Sequence, residues 1–512
     1  MLFRSALFKY SRFGLATRAA AENEKGAIVL GFSPDFLAGA NWVLSTVIAG
    51  LLGILASPIT GLDTITLPLL IVPALGAALL ANFTSFGLTV AAGVGIAMLQ
   101  AWIQFQGAQT WFPKGVLPTA GLTQALPFFV IVIAMFLRGK SLPVRGAVSV
   151  GKMPFAAAPK KVLPLTIGAS VVVLALLFGW NYDWRQSTIN TLVAAVIALS
   201  LVVLTGFVGQ ISLAQMAIAG TAGFFMSKYF SSLPFPLAPI VGALVAAAFG
   251  ALVSIPALRL RGVNLAVITL SAALAIEQLV FRNKIFAGEL GALRVDPPKI
   301  GGKDFGPNNT ALKVIGLKGR DDIPPNAWFG VVCLVFVVLL CLMVVNVRRS
   351  STGRQFLAVR SNERAAAAAG IDVARTKILA FGLSAFIAGL GGTLSGYRFG
   401  SVTPAYFGAF ASLTFLSFAY LGGIASVSGA VLAGVVAPNG LNFNFLENIL
   451  HIDQGYATLI GGIGLILTAV RNPEGIAGAP RLVAQQKIDR AVRKAALAER
   501  SKVGATQGEG SK

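Results

Sequence analysis

Apolar stretches of about 20 residues recur along this chain, and no other feature of the sequence limits its fold so strongly. A helix of that length crosses roughly 30 Å of hydrocarbon, where every backbone polar group must find a partner within the protein. Of 512 residues, 56% are hydrophobic and 12% charged, whereas a soluble domain carries roughly 25% charged residues. The sequence therefore predicts an all-α fold, a polytopic transmembrane helical bundle.

About fourteen windows meet this criterion of length and hydropathy. They lie near 37–56, 65–81, 86–106, 121–137, 163–181, 187–207, 211–230, 236–256, 262–281, 327–346, 377–397, 408–425, 427–442 and 455–470. The two windows that flank Gly422 and Gly423 are short, so they either cross the membrane or are re-entrant. Glycine is abundant, with 57 residues, which favours the close approach of helices inside lipid.

The net charge of +22 is distributed unevenly between the loops. When successive windows alternate in direction, 29 of the 41 Lys and Arg fall on one face. The segments of that face are 1–36, 138–161, 257–262, 347–377 and 471–512. Since basic loops stay cytoplasmic, we expect a multi-pass protein of the plasma (inner) membrane with both termini cytoplasmic. The charge is then explained by topology and anionic lipid, with no role for nucleic acid.

The chain contains an internal repeat with a spacing of 339 residues. We name residues 14–55 the first copy and residues 353–394 the second copy; 14 of their 42 aligned positions are identical. The matched positions include Asn23 with Asn362, Glu24 with Glu363 and Gly31 with Gly370. Both copies enter the membrane from the same face, which predicts two parallel-repeat units. An inverted-repeat secondary transporter would present the copies in opposite senses.

Each copy begins with a short charged segment that has helix-capping residues at both ends. In the second copy, Ser361 or Asn362 can cap a helix that carries Glu363 in its first turn, where a negative charge is favourable. Gly370 can take the left-handed conformation at the C-terminal end, and Asp372 then caps the following membrane helix. The pattern predicts a rigid helix of about two turns that can transmit force from a partner, although a solvated turn is the alternative.

The first copy repeats this pattern with different residues at some positions. Asn23, Glu24 and Gly31 correspond to the capping residue, the first-turn acid and the terminal glycine. Ser33 supplies the next cap, and Pro34 follows at the first helical position, where proline is favoured. The sequence therefore predicts two short helices of the same design.

Two parts of the sequence resemble the permease subunits of branched-chain amino acid ABC transporters. Residues 200–478 look like the M-type subunit, through GFVGQISLAQ (206–215), PALRLRGVNLAVITL (256–270), RSNERAAAAAGI (360–371) and YLGGIASVSGAVLAG (420–434). Residues 10–138 look like the C-terminal half of the H-type subunit, through SRFGLATRAAAENEKGAIVLGF (11–32) and LTVAAGVG (88–95). We therefore predict a partial H-type permease unit at 1–139, a cytoplasmic linker at 140–161, an M-type permease unit at 162–478 and a basic cytoplasmic tail at 479–512.

The resemblance implies a permease subunit of an ATP-binding-cassette importer that translocates branched-chain amino acids. The sequence contains no GxxxxGK[ST] phosphate loop, so we expect no enzyme activity and no cofactor in this chain. Partner ATPase subunits would bind ATP and Mg and dock on the two short helices, and an extracytoplasmic binding protein would deliver the substrate. The residues expected to couple the chain to the ATPase are Asn23, Glu24, Gly31, Asn362, Glu363, Arg364 and Gly370.

Two other functions are compatible with the sequence. A permease for urea or short-chain amides would have the same architecture, because selectivity rests largely with the binding protein. An ion-coupled secondary transporter is the less favoured alternative, since it requires ionisable groups in the middle of membrane segments, and carboxylates are scarce there.

A few polar residues interrupt the apolar segments. Gln210, Ser212 and Gln215 must face a cavity or a neighbouring helix, so they either line the substrate pathway or bond helices together. Glu277 is expected to snorkel at the interface or to pair with Arg282 or Lys284.

The chain departs from the H-type pattern at its start. An H-type subunit should begin with several further membrane segments, so we expect that the true start lies further upstream, that the gene is truncated, or that a separate chain supplies the missing N-terminal half. The first 20 residues are also Arg-bearing and free of acids, like a mitochondrial transit peptide, although the repeat explains part of them better. The tail at 481–504 has a basic amphipathic pattern suited to the anionic inner leaflet, and a solvated tail that ends in disorder is the alternative.

Overall fold

In a computed structural model of the protein, the described residues are 10–61, 70–81, 83, 85–109, 111–112, 119–138, 162–258, 260, 262–288, 291–314, 323–452, 454–471 and 474–480. Among them, 10 helices are long and apolar enough to cross a membrane. They also form two ladders whose strands are two residues long, and Val314 forms an isolated β-bridge. The predicted polytopic helical bundle is confirmed.

Six described helices precede residue 139. They are α1 Arg12–Glu22, α2 Glu24–Val29, α3 Pro34–Thr60, α4 Ile71–Leu80, α5 Phe86–Ala108 and α6 Thr119–Arg138. α3 packs mainly against α1 and α2. We name the described residues before 139 the first unit and those from 162 onward the second unit. α4 and α6 pack against a helix of the second unit, α11 Val263–Ile276, and so join the two units.

The second unit contains a longer series of helices. Those before its long loop are α7 Val162–Gly179, α8 Tyr182–Leu201, α9 Gln215–Tyr229, α10 Leu237–Ala257, α11 and α12 Lys284–Ala287. Those after it are α13 Ala327–Arg349, α14 Ser351–Ser361, α15 Glu363–Ala368, α16 Val373–Phe399, α17 Ala409–Gly422, α18 Val427–Val436, α19 Leu441–Asn448 and α20 Gln454–Arg471. Single π-helical turns extend α8 through Val202–Phe207 and α11 through Glu277–Phe281.

The predicted membrane windows agree with most of these helices. The window at 211–230 is an exception, because its helix starts only at Gln215 and has 15 residues. The residues between Phe207 and Gln215 leave the helical path at Gly209, whose φ is +74°. The exact number of crossings stays a prediction, since 71–80 and 121–133 form shorter apolar helices.

α16 lies at the centre of the second unit, where it packs against α8, α9 and α10. Small residues along it, including Ala388, Gly389 and Gly392, leave room for its neighbours, as is usual for helices inside lipid. The apolar core formed in this way extends from α4, α6 and α7 to α18.

A short ladder fastens the long loop to the end of α16. β1 (Leu293–Arg294) pairs antiparallel with β4 (Ser401–Val402), with Leu293 opposite Val402. The Val295 amide adds a hydrogen bond to the Gly400 carbonyl at 3.0 Å. In the same loop β2 (Lys299–Ile300) pairs with β3 (Lys303–Asp304) in a small hairpin.

The segments around Gly422 and Gly423 form a tight helical hairpin. Gly423 has a φ of +118°, and Ser426 then caps α18 by accepting a hydrogen bond from the Gly429 amide at 3.1 Å. α18 has only 10 residues, about 15 Å of helix, and α19 continues the path after a break. Together α18 and α19 make Val427–Asn448 long and apolar enough to cross a membrane, and a re-entrant path stays the alternative prediction.

Several predictions lie outside the described residues. They are the linker at 140–161, nearly all of the tail at 479–512 and the first nine residues of the chain.

Candidate functional site

The two copies of the repeat have the same helix boundaries. α1, α2 and α3 begin and end 339 residues before α14, α15 and α16, at every one of the six boundaries. We name α2 the first short helix and α15 the second short helix. Each has six residues, slightly less than two turns, and each precedes a long apolar helix of 27 residues. The structure therefore confirms the repeat.

The second short helix is capped as the sequence predicts, and the cap is Asn362. Its side-chain oxygen accepts hydrogen bonds from the amides of Arg364 and Ala365 at 3.0 and 3.2 Å. Ser361, the alternative cap, instead donates to the carbonyl of Ala358. Gly370 has a φ of +81°, and its amide closes the helix end on the Ala367 carbonyl.

The first short helix has the same construction. Asn23 Oδ1 accepts from the Gly26 amide at 3.0 Å, and Gly31 has a φ of +83°. Two hydrogen bonds define this glycine-terminated helix end. The Phe32 amide donates to the Ala27 carbonyl at 3.0 Å, and the Gly31 amide donates to the Ile28 carbonyl at 2.9 Å. Ser33 then caps α3 by accepting from the Phe36 amide at 3.3 Å.

A buried ion pair distinguishes the second short helix from the first. Lys377 Nζ lies 2.8 Å from Glu363 Oε1, and the two side chains are 1% and 12% exposed. Gln210 Nε2 approaches the same carboxylate oxygen at 3.4 Å. In the first copy Glu24 is exposed and Ala38 occupies the position of Lys377, so this pair has no counterpart there. The ion pair fastens the second short helix to the N-terminal part of α16.

A second bond joins this region to the end of α8. Arg360, at the end of α14, donates from a terminal guanidinium nitrogen to the carbonyl of Gly206 at 2.5 Å. Burial lowers the pKa of this guanidinium from its usual value. Gly206 belongs to the π-helical turn after α8, whose irregular hydrogen bonding leaves a carbonyl for this contact.

The residues predicted to face an ATPase have different environments. Asn23, Glu24, Asn362 and Arg364 are exposed, whereas the carboxylate of Glu363 is directed toward Lys377 inside the helical bundle. The two short helices also differ in their exposed apolar surface. The first presents Ile28, Val29 and Leu30, and the second presents alanines at the same three positions. Their contact with a partner stays a prediction.

The three residues predicted for a substrate pathway are all buried. Gln215 Nε2 donates to Ser384 Oγ at 2.9 Å, and Ser384 in turn donates to the Ser200 carbonyl at 2.7 Å. Ser212 Oγ accepts from the Ala214 amide at 3.3 Å, just before α9 begins. Gln210 lies next to Glu363, as described above. These bonds connect helices or turns, and a role in substrate passage stays a prediction.

Glu277 links two helices at the end of the bundle that carries the long loop. One carboxylate oxygen lies 3.3 Å from Arg282, which confirms one of the two expected pairings. The other oxygen accepts a hydrogen bond from the Ala409 amide at 3.0 Å, so Glu277 caps α17 from a different helix. Sequence patterns did not signal this cap, because the two residues are 132 positions apart.

Within the part of the chain that the structure describes, no cluster of three His, Cys, Asp or Glu could hold a metal ion. The site thus contains two capped short helices. The second is joined to α16 by the Glu363–Lys377 ion pair, and α14, which precedes it, is joined to the turn after α8 by Arg360.

Known proteins match this chain over most of its length. The family model described as the branched-chain amino acid transport system permease component matches residues 1–135 and 186–451. The high-affinity branched-chain amino acid transport system permease protein LivM of Escherichia coli K12 is 29% identical over 341 residues, which cover 62% of this chain and 78% of the relative.

Two further relatives match shorter parts. The corresponding permease protein LivH of Escherichia coli K12 is 28% identical over 153 residues, 30% of this chain and 48% of the relative. The L-arabinose transport system permease protein AraH of the same strain is 28% identical over 151 residues, 30% of this chain and 44% of the relative. No solved structure gives a significant match.

The family model covers well over half of the chain, and the repeat, the capped short helices and the apolar bundle agree with the resemblance seen in the sequence. This multi-pass membrane protein belongs to the family of branched-chain amino acid transport system permease components.

Proposed function

We propose that the chain is the permease subunit of an ATP-driven importer of branched-chain amino acids, located in the plasma membrane with both termini cytoplasmic. The observation that carries the proposal is the pair of short helices with matching caps, each at the start of a long apolar helix. Such a pair suits two external motor subunits, one for each copy. The transport system named for LivM supports the choice of substrate.

The contacts of the second short helix suggest how movement reaches the membrane. A pull on this helix acts on α16 through the Glu363–Lys377 ion pair, and it acts on the end of α8 through the preceding helix α14, whose Arg360 is bonded to Gly206. Because α16 packs against α8, α9 and α10, its displacement shifts the centre of the second unit. The ion pair thus ties the movement of a partner to the helices around the pathway.

A permease moved by external subunits requires two kinds of partner. ATPase subunits bind ATP and Mg and contact Asn23, Glu24, Asn362 and Arg364, while Gly31 and Gly370 fix the direction of the chain that leaves each short helix. An extracytoplasmic binding protein delivers the amino acid to the end of the bundle that carries the β1–β4 ladder.

Three alternatives to ATP-driven transport of branched-chain amino acids are considered. The relative AraH is named for L-arabinose, so the permease architecture serves more than one solute class. Urea and short-chain amides are the runner-up, and an ion-coupled mechanism is the third candidate.

The decisive assay uses proteoliposomes that contain the chain with its genomic ATPase and binding-protein neighbours. We expect uptake of radiolabelled leucine that requires ATP, is insensitive to ionophores, and is competed by isoleucine and valine. Competition by urea, acetamide or arabinose alone would reassign the substrate. Leucine uptake that persists without ATP and collapses with an ionophore would refute the ATP-driven mechanism.

The coupling surface is tested by charge reversal at matched positions of the two copies. Lys25→Glu and Arg364→Glu alter equivalent exposed cations, and both should reduce leucine-stimulated ATP hydrolysis. The control Arg471→Glu reverses an exposed cation at the end of α20 and should leave leucine-stimulated ATP hydrolysis unchanged. Equal losses in all three variants would assign the effect to net charge instead of the short helices.

A further inference from the structure

The last turn of α16 carries a half-buried cation, Arg398. Its Nε atom is sealed from solvent and has no hydrogen-bond partner among the described residues. The ion pairs of the described carboxylates are made with other cations. A charge that leaves water without a partner is costly, so a cation in this position indicates a ligand.

The ordinary roles of an arginine at a helix end do not account for this arrangement. An arginine that only snorkels places its head group in water, whereas the Nε of Arg398 is sealed. An arginine that caps a helix donates to the last carbonyls, and the described residues provide no such bond to the side chain of Arg398. Attraction to the helix dipole remains, but it does not require burial.

A second arginine at the same end of the bundle shows the contrast. Arg282 lies 3.3 Å from the carboxylate of Glu277, although its own side chain is 54% exposed. The more exposed cation thus has a counter-ion within the chain, and the half-buried Arg398 has none among the described residues. The first copy of the repeat has Ile59 at the position of Arg398, so the repeated architecture does not require a cation there.

Aromatic side chains lie next to Arg398. Its guanidinium carbon is 5.7 Å from the centroid of the Phe399 ring, and this ring stacks on Tyr406 with 4.4 Å between centroids. Tyr406 and Tyr182, at the start of α8, lie close enough to interact with the charge of Arg398. Phe399 and Tyr406 are 46% and 45% exposed, so they present an open apolar surface beside the cation.

A guanidinium beside an apolar surface matches two parts of an apolar amino acid. Guanidinium binds a carboxylate through two parallel hydrogen bonds, and an aromatic surface suits a branched aliphatic side chain. The terminal nitrogens of Arg398 are not among the sealed, unbonded atoms, so a ligand can reach them. Urea and short-chain amides carry no charge that would compensate this cation.

We propose that Arg398, Phe399 and Tyr406 form a subsite for an apolar amino acid at the end of the bundle that carries the β1–β4 ladder. The guanidinium of Arg398 binds the carboxylate, and the stacked rings of Phe399 and Tyr406 contact the aliphatic side chain. The proposal rests on the proposed function in taking the ligand to be the transported solute.

The test measures contact between leucine and the full chain by solid-state NMR of frozen proteoliposomes. Leucine carries a 13C carboxyl and the arginines carry 15N guanidinium groups, so dipolar dephasing reports their proximity. We expect dephasing in the unmodified chain and its loss in both Arg398→Gln and Arg398→Lys, since neither has a labelled guanidinium at this position. Arg282→Gln is the matched control and should keep the signal, because its guanidinium already has a carboxylate partner.

Competitors test which parts of leucine the subsite binds. 4-Methylpentanoate keeps the carboxylate and the branched chain and should displace leucine, whereas leucinamide and urea should not. Acetate lacks the aliphatic chain and should need more than roughly ten times the concentration of 4-methylpentanoate. Displacement by leucinamide would overturn the role of the carboxylate, and equal displacement by acetate would overturn the role of the aromatic surface.

Thermal unfolding without leucine separates a ligand-binding arginine from a structural one. Arg398→Gln removes a half-buried charge, so its midpoint should equal or exceed that of the unmodified chain. Arg282→Gln leaves the buried carboxylate of Glu277 without its cation and should lower the midpoint. A lower midpoint for Arg398→Gln would mean that Arg398 has a partner within this chain, which overturns the proposal.

The remaining outcomes separate this subsite from the transport function. Absence of dephasing in the unmodified chain, or dephasing that survives Arg398→Gln, overturns the subsite even where ATP-dependent leucine uptake is present. Dephasing that depends on Arg398 supports the subsite, and combined with failed uptake it would reject only the proposed transport function.

Discussion

Removal of the Glu363 carboxylate should loosen the second short helix far more than the matching change loosens the first. Glu363→Gln leaves Lys377 as a buried ammonium without its carboxylate. At 2.8 Å and an effective dielectric constant near 20, the direct attraction is about 6 kcal/mol. Desolvation of both groups offsets much of this, and breaking such a pair typically costs about 3–5 kcal/mol.

We take the lower end, about 3 kcal/mol, because Glu363 is partly exposed. That energy corresponds to a roughly hundredfold increase in local opening, since 1.4 kcal/mol is a factor of ten. Hydrogen–deuterium exchange of the chain in liposomes measures it directly. The amides that report are those bonded within the helix and its cap, from Ala366 to Ile371.

Glu24→Gln is the matched control in the first copy. Glu24 is exposed and faces no lysine at the position of Lys377, so only its interaction with the helix dipole is lost, less than about 1 kcal/mol. The double variant Glu363→Gln with Lys377→Met should exchange almost as slowly as the unmodified chain, because neither charge remains. If Glu363→Gln and Glu24→Gln accelerate exchange equally, the ion pair does not hold the helix and the reasoning fails.

Three further results are expected. Gln215→Ala removes a buried hydrogen bond to Ser384, so it should lower the free energy of unfolding by about 1–3 kcal/mol without changing the KM for leucine. A raised KM at unchanged stability would instead place the residue in the substrate pathway. Gly429→Ala places a Cβ against the backbone of the α17–α18 turn and should lower the free energy of unfolding by about 1–3 kcal/mol, seen as a lower thermal midpoint. The control Gly464→Ala meets open space and should leave the midpoint unchanged. Equal midpoints for the two variants would disprove the tight turn. Glu277→Leu removes the cap of α17 and should speed amide exchange at its start, while Glu277→Gln retains an acceptor and should speed it less; no difference between the two would remove the capping role.

Local features of the site could be predicted from the sequence because their causes are local. Asn362 and Gly370 lie within a few residues of the amides and carbonyls that they satisfy, so a short pattern is enough to identify them. The repeat strengthened the prediction, since the same residue types recur at Asn23 and Gly31 with the same backbone geometry.

Contacts between distant parts of the chain were beyond the sequence patterns. The network of Gln215 depends on Ser384, 169 positions away, and the partner of Glu363 depends on how α16 is turned about its axis. The start of α9 was placed four residues early, because the non-helical residues 211–214, which follow the turn at Gly209, are as apolar as the helix after them. Hydropathy reports the environment of a segment but contains no information about which helix it meets.

The length of α16 has a geometric consequence for signalling between the two sides of the bilayer. With 27 residues it is about 40 Å long, and it is attached by Lys377 at one end and continues into the β1–β4 ladder at the other. A stiff rod of this length that tilts by about 10° displaces its far tip by roughly 7 Å. The two ends of one rigid helix would then move together, so the proposed sites for a binding protein and for the ATPases would respond to a single tilt.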